Sequence, residues 1–255
     1  MRLEWHAATN VGAVRKVNED GYFASEALGL WAVADGMGGM SRGDWASAQV
    51  VAALGTVAAQ PELEPMMAQV ARALQQANDT ILRETETHGA KIGTTAVALL
   101  VRDDQFGVCW VGDSRAYLLR NRQLHQLTRD HSQVQEMVDH GILAPEQMDT
   151  HPLRNALTRA VGVMPELVVD AIVDRLEAED LLLLCSDGLH GVIGDDELRD
   201  VLTQMPLREA AEELIGRCHA HGAPDNITMI LVANDEVTLV KFVGDAEIAQ
   251  AVFPT

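Results

Sequence analysis

Two apolar runs, TTAVALLV (94–101) and FGVCWVGD (106–113), are separated by only RDDQ. So short a link between two strand-length apolar runs reads as an antiparallel hairpin. Further buried strands are expected at LGLWAVAD (28–35), DLLLLCSD (180–187) and NITMILVA (226–233), and QLHQLT (123–128) adds another after a turn at Asn121. Helical periodicity runs through Met67, Val70, Leu74, Ala77 and Ile81, and again through Leu207, Ala210, Ala211, Leu214, Ile215 and Cys218, with Gly222 as the stop. The alanine-rich segment 45–59 makes a third helix. Helices come in groups and strands in meanders, which favours packed antiparallel sheets with helices outside over a doubly wound parallel sheet.

The chain has 255 residues, 47% hydrophobic, enough to bury a substantial core, and is read as one compact domain. No run of eighteen apolar residues occurs and the N-terminus MRLEWHAATN lacks a signal-peptide pattern, so a soluble cytoplasmic protein is expected. The formal charge of −19 repels nucleic acid and anionic membranes and argues against both as partners. Cys109, Cys185 and Cys218 sit in apolar stretches and read as buried reduced thiols.

The chemical signal lies in aspartates at the ends of apolar strands: Asp35 in WAVADGMGG, Asp113 in CWVGDSR and Asp187 in LLLLCSDG, with Asp225 just before a strand. One Asp-Gly alone is most simply a turn. Several together need a counter-charge, because two unit charges ~5 Å apart repel by roughly 3 kcal/mol at an effective dielectric of ~20. Aspartate oxygens suit magnesium, manganese or calcium. Glycines after the aspartates, Gly36 and Gly188, let the backbone turn and approach an ion or ligand. Arg15, ahead of Asn18-Glu19-Asp20, is either a surface charge or a bidentate clamp for a phosphate.

Eight short motifs in order carry a resemblance: GAVRKVNED (12–20), VADGMGG (33–39), GTT (93–95), VGDSRAY (111–117), LTRDHS (127–132), LTRAVG (157–162), CSDGL (185–189) and DNIT (225–228). With these the sequence resembles the metal-dependent protein phosphatase family, type 2C (PPM), in its compact bacterial form. The resemblance implies an α+β fold, a four-layer αββα sandwich of two antiparallel sheets flanked by helix pairs, with a dinuclear metal site at one end. It implies a single catalytic domain over 1–240, with a flap at about 130–165, and leaves 241–255 as a C-terminal tail. By the same resemblance Asp35 bridges two Mn2+ or Mg2+ ions, the Gly36 carbonyl binds one, and Asp187 and Asp225 complete the other. Asp113 with Asp187 would hold a third, weaker ion, Glu19 and Asp20 would hold coordinating waters or stand just behind the ligands, and Arg15 would bind the substrate phosphate.

The implied reaction is hydrolysis of phosphoserine or phosphothreonine by a water activated between two metals, opposing a Ser/Thr kinase. Substrates and partners would be Ser/Thr-phosphorylated proteins and a cognate kinase, and the default oligomeric state is a monomer. Met37 stands where eukaryotic relatives carry a histidine proposed as general acid, which leaves a metal-bound water or one of His131, His151 and His190 for that role. The stretch Met40-Ser41-Arg42-Gly43-Asp44 also departs from the family wording, but touches no metal position. Two other readings stay open: a non-catalytic module that binds phosphorylated partners, and an enzyme for a small phosphorylated metabolite or phosphotyrosine.

Overall fold

The computed structural model describes residues 3–38, 42–89, 92–148 and 150–234. The expected tail, 241–255, and Met40 and Ser41 lie outside the described residues. In chain order the elements are β1 (Leu3–Asn10), β2 (Asp20–Ser25), β3 (Leu30–Gly38), α1 (Gly43–Leu54), α2 (Leu63–His88), β4 (Ile92–Thr94), β5 (Ala96–Arg102), β6 (Gln105–Val111), β7 (Arg115–Arg120) and β8 (Gln123–Gln126). They continue with α3 (Gln133–Asp139), β9 (Asp170–Arg175), β10 (Leu181–Cys185), α4 (Asp187–His190), α5 (Asp195–Gln204), α6 (Leu207–Ala220) and β11 (Ile227–Asn234).

Two antiparallel sheets form, in the orders β1-β11-β10-β7-β8 and β2-β3-β5-β6-β9, with β4 added to the end of β3. Side-chain alternation explains the layering. Along β3, Trp31 and Val33 face the other sheet and meet Leu182, Leu184, Ile230 and Val232. Leu30, Ala32 and Ala34 face Val50, Leu54, Val70 and Leu74 of α1 and α2. On the opposite side, Leu181, Leu183 and Cys185 of β10 pack against Leu198 and Leu202 of α5 and Leu214 and Cys218 of α6. The result is the αββα stack that the resemblance implies.

The hairpin expected around RDDQ is present, with β5 and β6 paired from Ala96↔Val111 to Arg102↔Gln105. The turn at Asn121 is present as well: Asn121 and Arg122 both have positive φ, 51° and 61°, as a two-residue hairpin turn with the right-handed strand twist requires. After β6 the chain crosses from one sheet to the other and begins β7. Asp113 lies in that crossing, at the sandwich end where β3 pairs with β4.

At the other end of β7, Arg120 donates to both carboxylate oxygens of the fully buried Asp180, at 2.8 and 2.7 Å, and to the carbonyl of Arg175 at 2.7 Å. Arg120→Ala leaves that carboxylate without its cation. The expected cost is about 3 kcal/mol, read as a melting temperature lower by roughly 6–12 °C in a thermal denaturation scan. Arg120 lies five residues, roughly 17 Å, along the strand from Arg115, so turnover at 25 °C is expected to be unchanged.

Candidate active site

The aspartates converge because both sheets end at the same place. β2 and β3 pair with Asp20 opposite Asp35. Asp35 is held by both threonines of the Gly-Thr-Thr motif: its amide donates to Thr95 Oγ1 at 2.9 Å, and its carbonyl accepts from the Thr95 amide at 2.8 Å and from Thr94 Oγ1 at 2.9 Å. Thr95 Oγ1 also shares a 2.6 Å hydrogen bond with Ser114 Oγ, which ties the Asp35 backbone to the Asp113 turn. β3 runs three residues beyond Asp35 instead of ending there, because Gly36, Met37 and Gly38 pair with β4.

From the other sheet, β10 passes through Ser186 into the short α4, whose first residue is Asp187. Ser186 Oγ accepts from the Thr228 amide at 3.0 Å and donates to Asp20 Oδ2 at 2.8 Å, a bond between the two sheets. Asn226, next to Asp225, accepts the Glu19 amide at 2.8 Å and donates to the carbonyls of Val11 and Val17 at 2.9 and 3.0 Å. This one side chain therefore fixes both ends of the loop that carries Arg15. Glu19 accepts the amide of Gly43 at 3.0 Å, a carboxylate at the positive end of α1.

Gly36 and Gly188 have a reason other than the sharp turn expected of them. A Cβ at Gly36 would lie 2.1 Å from the carbonyl oxygen of Gly43, and one at Gly188 would lie 1.8 Å from that of Asn226. The missing side chains let neighbouring backbones close around the carboxylates.

Electrostatics single out this cluster. Burial, and then the charges of Asp187, Asp20, Asp113 and Asp225, hold the Asp35 carboxyl well above the usual carboxylate range. Burial also pushes Asp113 up to about 8, Asp20 to about 7 and Asp187 to about 6, each with help from neighbouring carboxylates. Hydrogen bonds from Ser186 and Thr228 partly offset the rise at Asp20, and one with Asp35 does so at Asp187. Two cations stand nearby. Arg115 is taken up by Asp130, to which it donates at 2.9 and 2.7 Å. Arg15, 49% exposed at the rim, donates to Asp225 at 2.6 Å. A cavity of about 270 Å³ is bounded by Arg15, Asp35, Asp113, Asp187 and Asp225, with Gly36 and Met37 in its wall.

Among the described residues, no three His, Cys, Asp or Glu side chains are arranged, as they stand, to hold a metal ion together. The donor set nevertheless fits hard divalent cations: several buried carboxylates face one cavity, and Arg15 and Arg115, each already paired with a carboxylate, leave them under-neutralised. A pH dependence follows. These carboxyls hold protons in the folded chain that the unfolded chain has already released at the same pH. Their stabilising contribution therefore fades as pH rises through about 6 to 8. In EDTA, the melting temperature is expected to fall by roughly 5 °C or more between pH 5.5 and 8.5, corresponding to about 2 kcal/mol. Saturating manganese should shrink that fall.

The histidines considered for proton transfer are otherwise engaged. His190 Nε2 donates to the Asp113 carbonyl at 3.0 Å, and burial, with Arg115 adding to it, holds its pKa well below the usual value, so it stays neutral. His131 is 4% exposed and accepts the Gly112 amide on Nδ1 at 3.0 Å. His151 accepts the Leu153 amide within the segment between β8 and β9, and does not line the acidic cavity. Cys185 faces the helix layer. Asn155, Thr95 and Asn226 contribute to the site without having been singled out from the sequence. Their signals, the Gly-Thr-Thr and Asp-Asn-Ile-Thr motifs and an asparagine in the flap, name no role by themselves.

The protein phosphatase 2C family model matches residues 8–137. The serine/threonine phosphatase stp of Listeria monocytogenes is 37% identical over 237 residues, which cover 89% of this chain and 94% of the relative. Among solved structures, PppA of Pseudomonas aeruginosa, described as a key regulatory component of T6SS, is 37% identical with a TM-score of 0.84 and covers 91% of this chain and 98% of its own. The catalytic domain of the serine/threonine protein phosphatase PstP, in complex with two manganese ions, is 33% identical with a TM-score of 0.81, covering 91% and 97%. The order of motifs, the layering of the sheets and these likenesses agree, and the chain belongs to the protein phosphatase 2C family.

Proposed function

We propose that this chain is a protein serine/threonine phosphatase that hydrolyses phosphoserine and phosphothreonine, opposing a Ser/Thr kinase in the cytoplasm as a monomer. The observation that carries the reading is the set of buried carboxylates meeting at one cavity with the half-exposed Arg15 at its rim. Asp35 would stand between two ions, Mn2+ or Mg2+, with the Gly36 carbonyl on one and Asp187 and Asp225 on the other. Asp113 with Asp187 would take a third, and Glu19 and Asp20 would orient waters around the pair. When bound, the ions supply an activated water for in-line attack on phosphorus and positive charge for the phosphoryl oxygens.

The chain's own residues do the rest. Thr94 and Thr95 fix the Asp35 backbone, and Ser186 orients Asp20. Arg15 exchanges Asp225 for the substrate phosphate and holds it at the rim. Met37 has no proton to give, and His131 and His190 are committed to the Asp113 turn, so the leaving oxygen takes its proton from solvent water. The segment at about 130–165 acts as a flap over the entrance.

The test is phosphate release from a phosphothreonine peptide in manganese, in excess EDTA, and by Asp187→Asn in manganese. Release that EDTA abolishes and Asp187→Asn lowers about a hundredfold or more supports the reading. A folded wild type that binds manganese and releases nothing from any phosphopeptide contradicts it, and leaves the phosphoprotein-binding module in its place. Arg15→Ala is expected to lower kcat/KM by about 30-fold, on the order of 2 kcal/mol, mostly through KM. Steady-state kinetics on the same peptide check this.

A further inference from the structure

The turn that carries Asp113 is held by an unusual pair of contacts from one residue. His131 accepts the Gly112 amide on Nδ1 at 3.0 Å, and its own amide donates to the Gly112 carbonyl at 3.0 Å. Because Nδ1 accepts an N–H, the ring proton sits on Nε2, which donates to Asp170 Oδ2 at 3.2 Å. Asp170 is gripped by Arg159, which donates to its two oxygens at 2.6 and 3.2 Å. The imidazole also stacks on Trp110, with centroids 6.2 Å apart, and Trp110 is the β6 partner of Asp170.

Arg159 belongs to the returning end of the segment between β8 and β9. That end is pinned on both sides of Arg159: the Thr158 amide donates to the His131 carbonyl at 2.8 Å, and Thr94 and Val161 exchange backbone hydrogen bonds. The carboxylate that fixes the His131 tautomer is thus itself fixed from the base of this segment. Gly112 needs only some acceptor for its amide. A histidine whose second nitrogen is tied to an Arg–Asp pair makes the turn depend on that base.

We infer that Arg159, Asp170 and His131 form a positioning relay that sets the Gly112–Asp113 turn from the base of the flap. The inference rests on the phosphatase reading, in which Asp113 is a metal-holding residue. None of the three touches substrate in this account; each acts through the turn. Supporting partners of this kind typically change metal affinity or activity by about 10–100-fold when removed.

The test compares wild type with Asp170→Ala, Arg159→Gln and Arg159→Lys, titrating manganese chloride and measuring kcat and KM on a phosphothreonine peptide. The relay predicts that Asp170→Ala lowers kcat about tenfold and raises the half-saturating manganese concentration by a similar factor, with KM within twofold of wild type. Arg159→Lys should recover part of what Arg159→Gln loses. Nitrogen-15 NMR of the imidazoles should show one Nε2–H tautomer for His131 in wild type and a mixture in Asp170→Ala. A merely structural contact would lower the melting temperature and leave the manganese requirement and the tautomer as they were; that result overturns the relay. Should Asp170→Ala fail to fold, Arg159→Gln, which leaves the Asp170 carboxylate on His131 in place, carries the same readouts. Should wild type release no phosphate, the phosphatase reading fails, while the tautomer and a manganese-binding titration still decide the relay.

Discussion

Asp35→Asn is expected to lower phosphate release about a thousandfold or more while raising the melting temperature of the chelator-treated protein at pH 7.5. The loss follows from the place of Asp35 in the proposed site, where its charge would serve both ions. The gain follows from its burial beside Asp187, Asp20 and Asp113, which holds its carboxyl well above the usual range. To fold without metal at pH 7.5, the chain must either bury this carboxylate charged among its acidic neighbours or take up a proton there, and both routes cost stability. Asparagine presents the neutral form without any uptake, and its amide can still donate to Asp187, with which Asp35 is hydrogen-bonded. The gain should exceed roughly 5 °C at pH 7.5 and disappear near pH 4, where the unfolded aspartate is protonated as well. Thermal scans in EDTA at the two pH values check the sign. An Asp35→Asn protein that is less stable than wild type in EDTA at pH 7.5 would contradict the electrostatic account.

Gly188→Ala is expected to cost at least about 3 kcal/mol, near 10 °C in melting temperature, and to abolish turnover. The added Cβ would stand 1.8 Å from the Asn226 carbonyl oxygen and 2.8 Å from its carbon, both backbone atoms that cannot swing aside. The neighbours that must move instead are Asp187 and Asp225 themselves. Asn226 also fixes the Glu19 amide and the loop bearing Arg15, so the disturbance spreads through the site. Gly216→Ala is the matched control. It lies inside α6 with nothing within 4 Å of the new Cβ, and should stabilise by about 0.5–1 kcal/mol. Similar stabilities for the two variants would overturn the close-approach argument.

The strands that sequence shows most clearly are β5, β6, β10 and β11. They lie between the other sheet and a helix layer, so almost every residue is buried and the run is apolar throughout. β9 escapes that reading because DAIVDR is an edge strand, largely exposed and half charged. α5 escapes because most of its surface is acidic, with Leu198, Val201 and Leu202 alone facing the core. β1 and β2 mix half-buried and exposed residues, with none fully buried, and give no strong period. At the site, Asp35, Asp113 and Asp187 stand out because each follows an apolar run. Asp20 and Glu19 acquire a role only through the family resemblance, since a polar cluster in a loop carries no periodicity. Asn226 and Thr95 act through hydrogen bonds to residues 207 and 60 positions away, and such distances are set by the fold alone.

The most direct measurement of the central claim is a count of manganese ions bound per chain, by equilibrium dialysis at pH 7.5, for wild type and Asp35→Asn. The account predicts at least two ions on the wild type and fewer than one at the same free concentration on the variant. Equal binding by both chains, or none by a folded wild type at millimolar manganese, would contradict the assignment of the buried carboxylates as a metal centre.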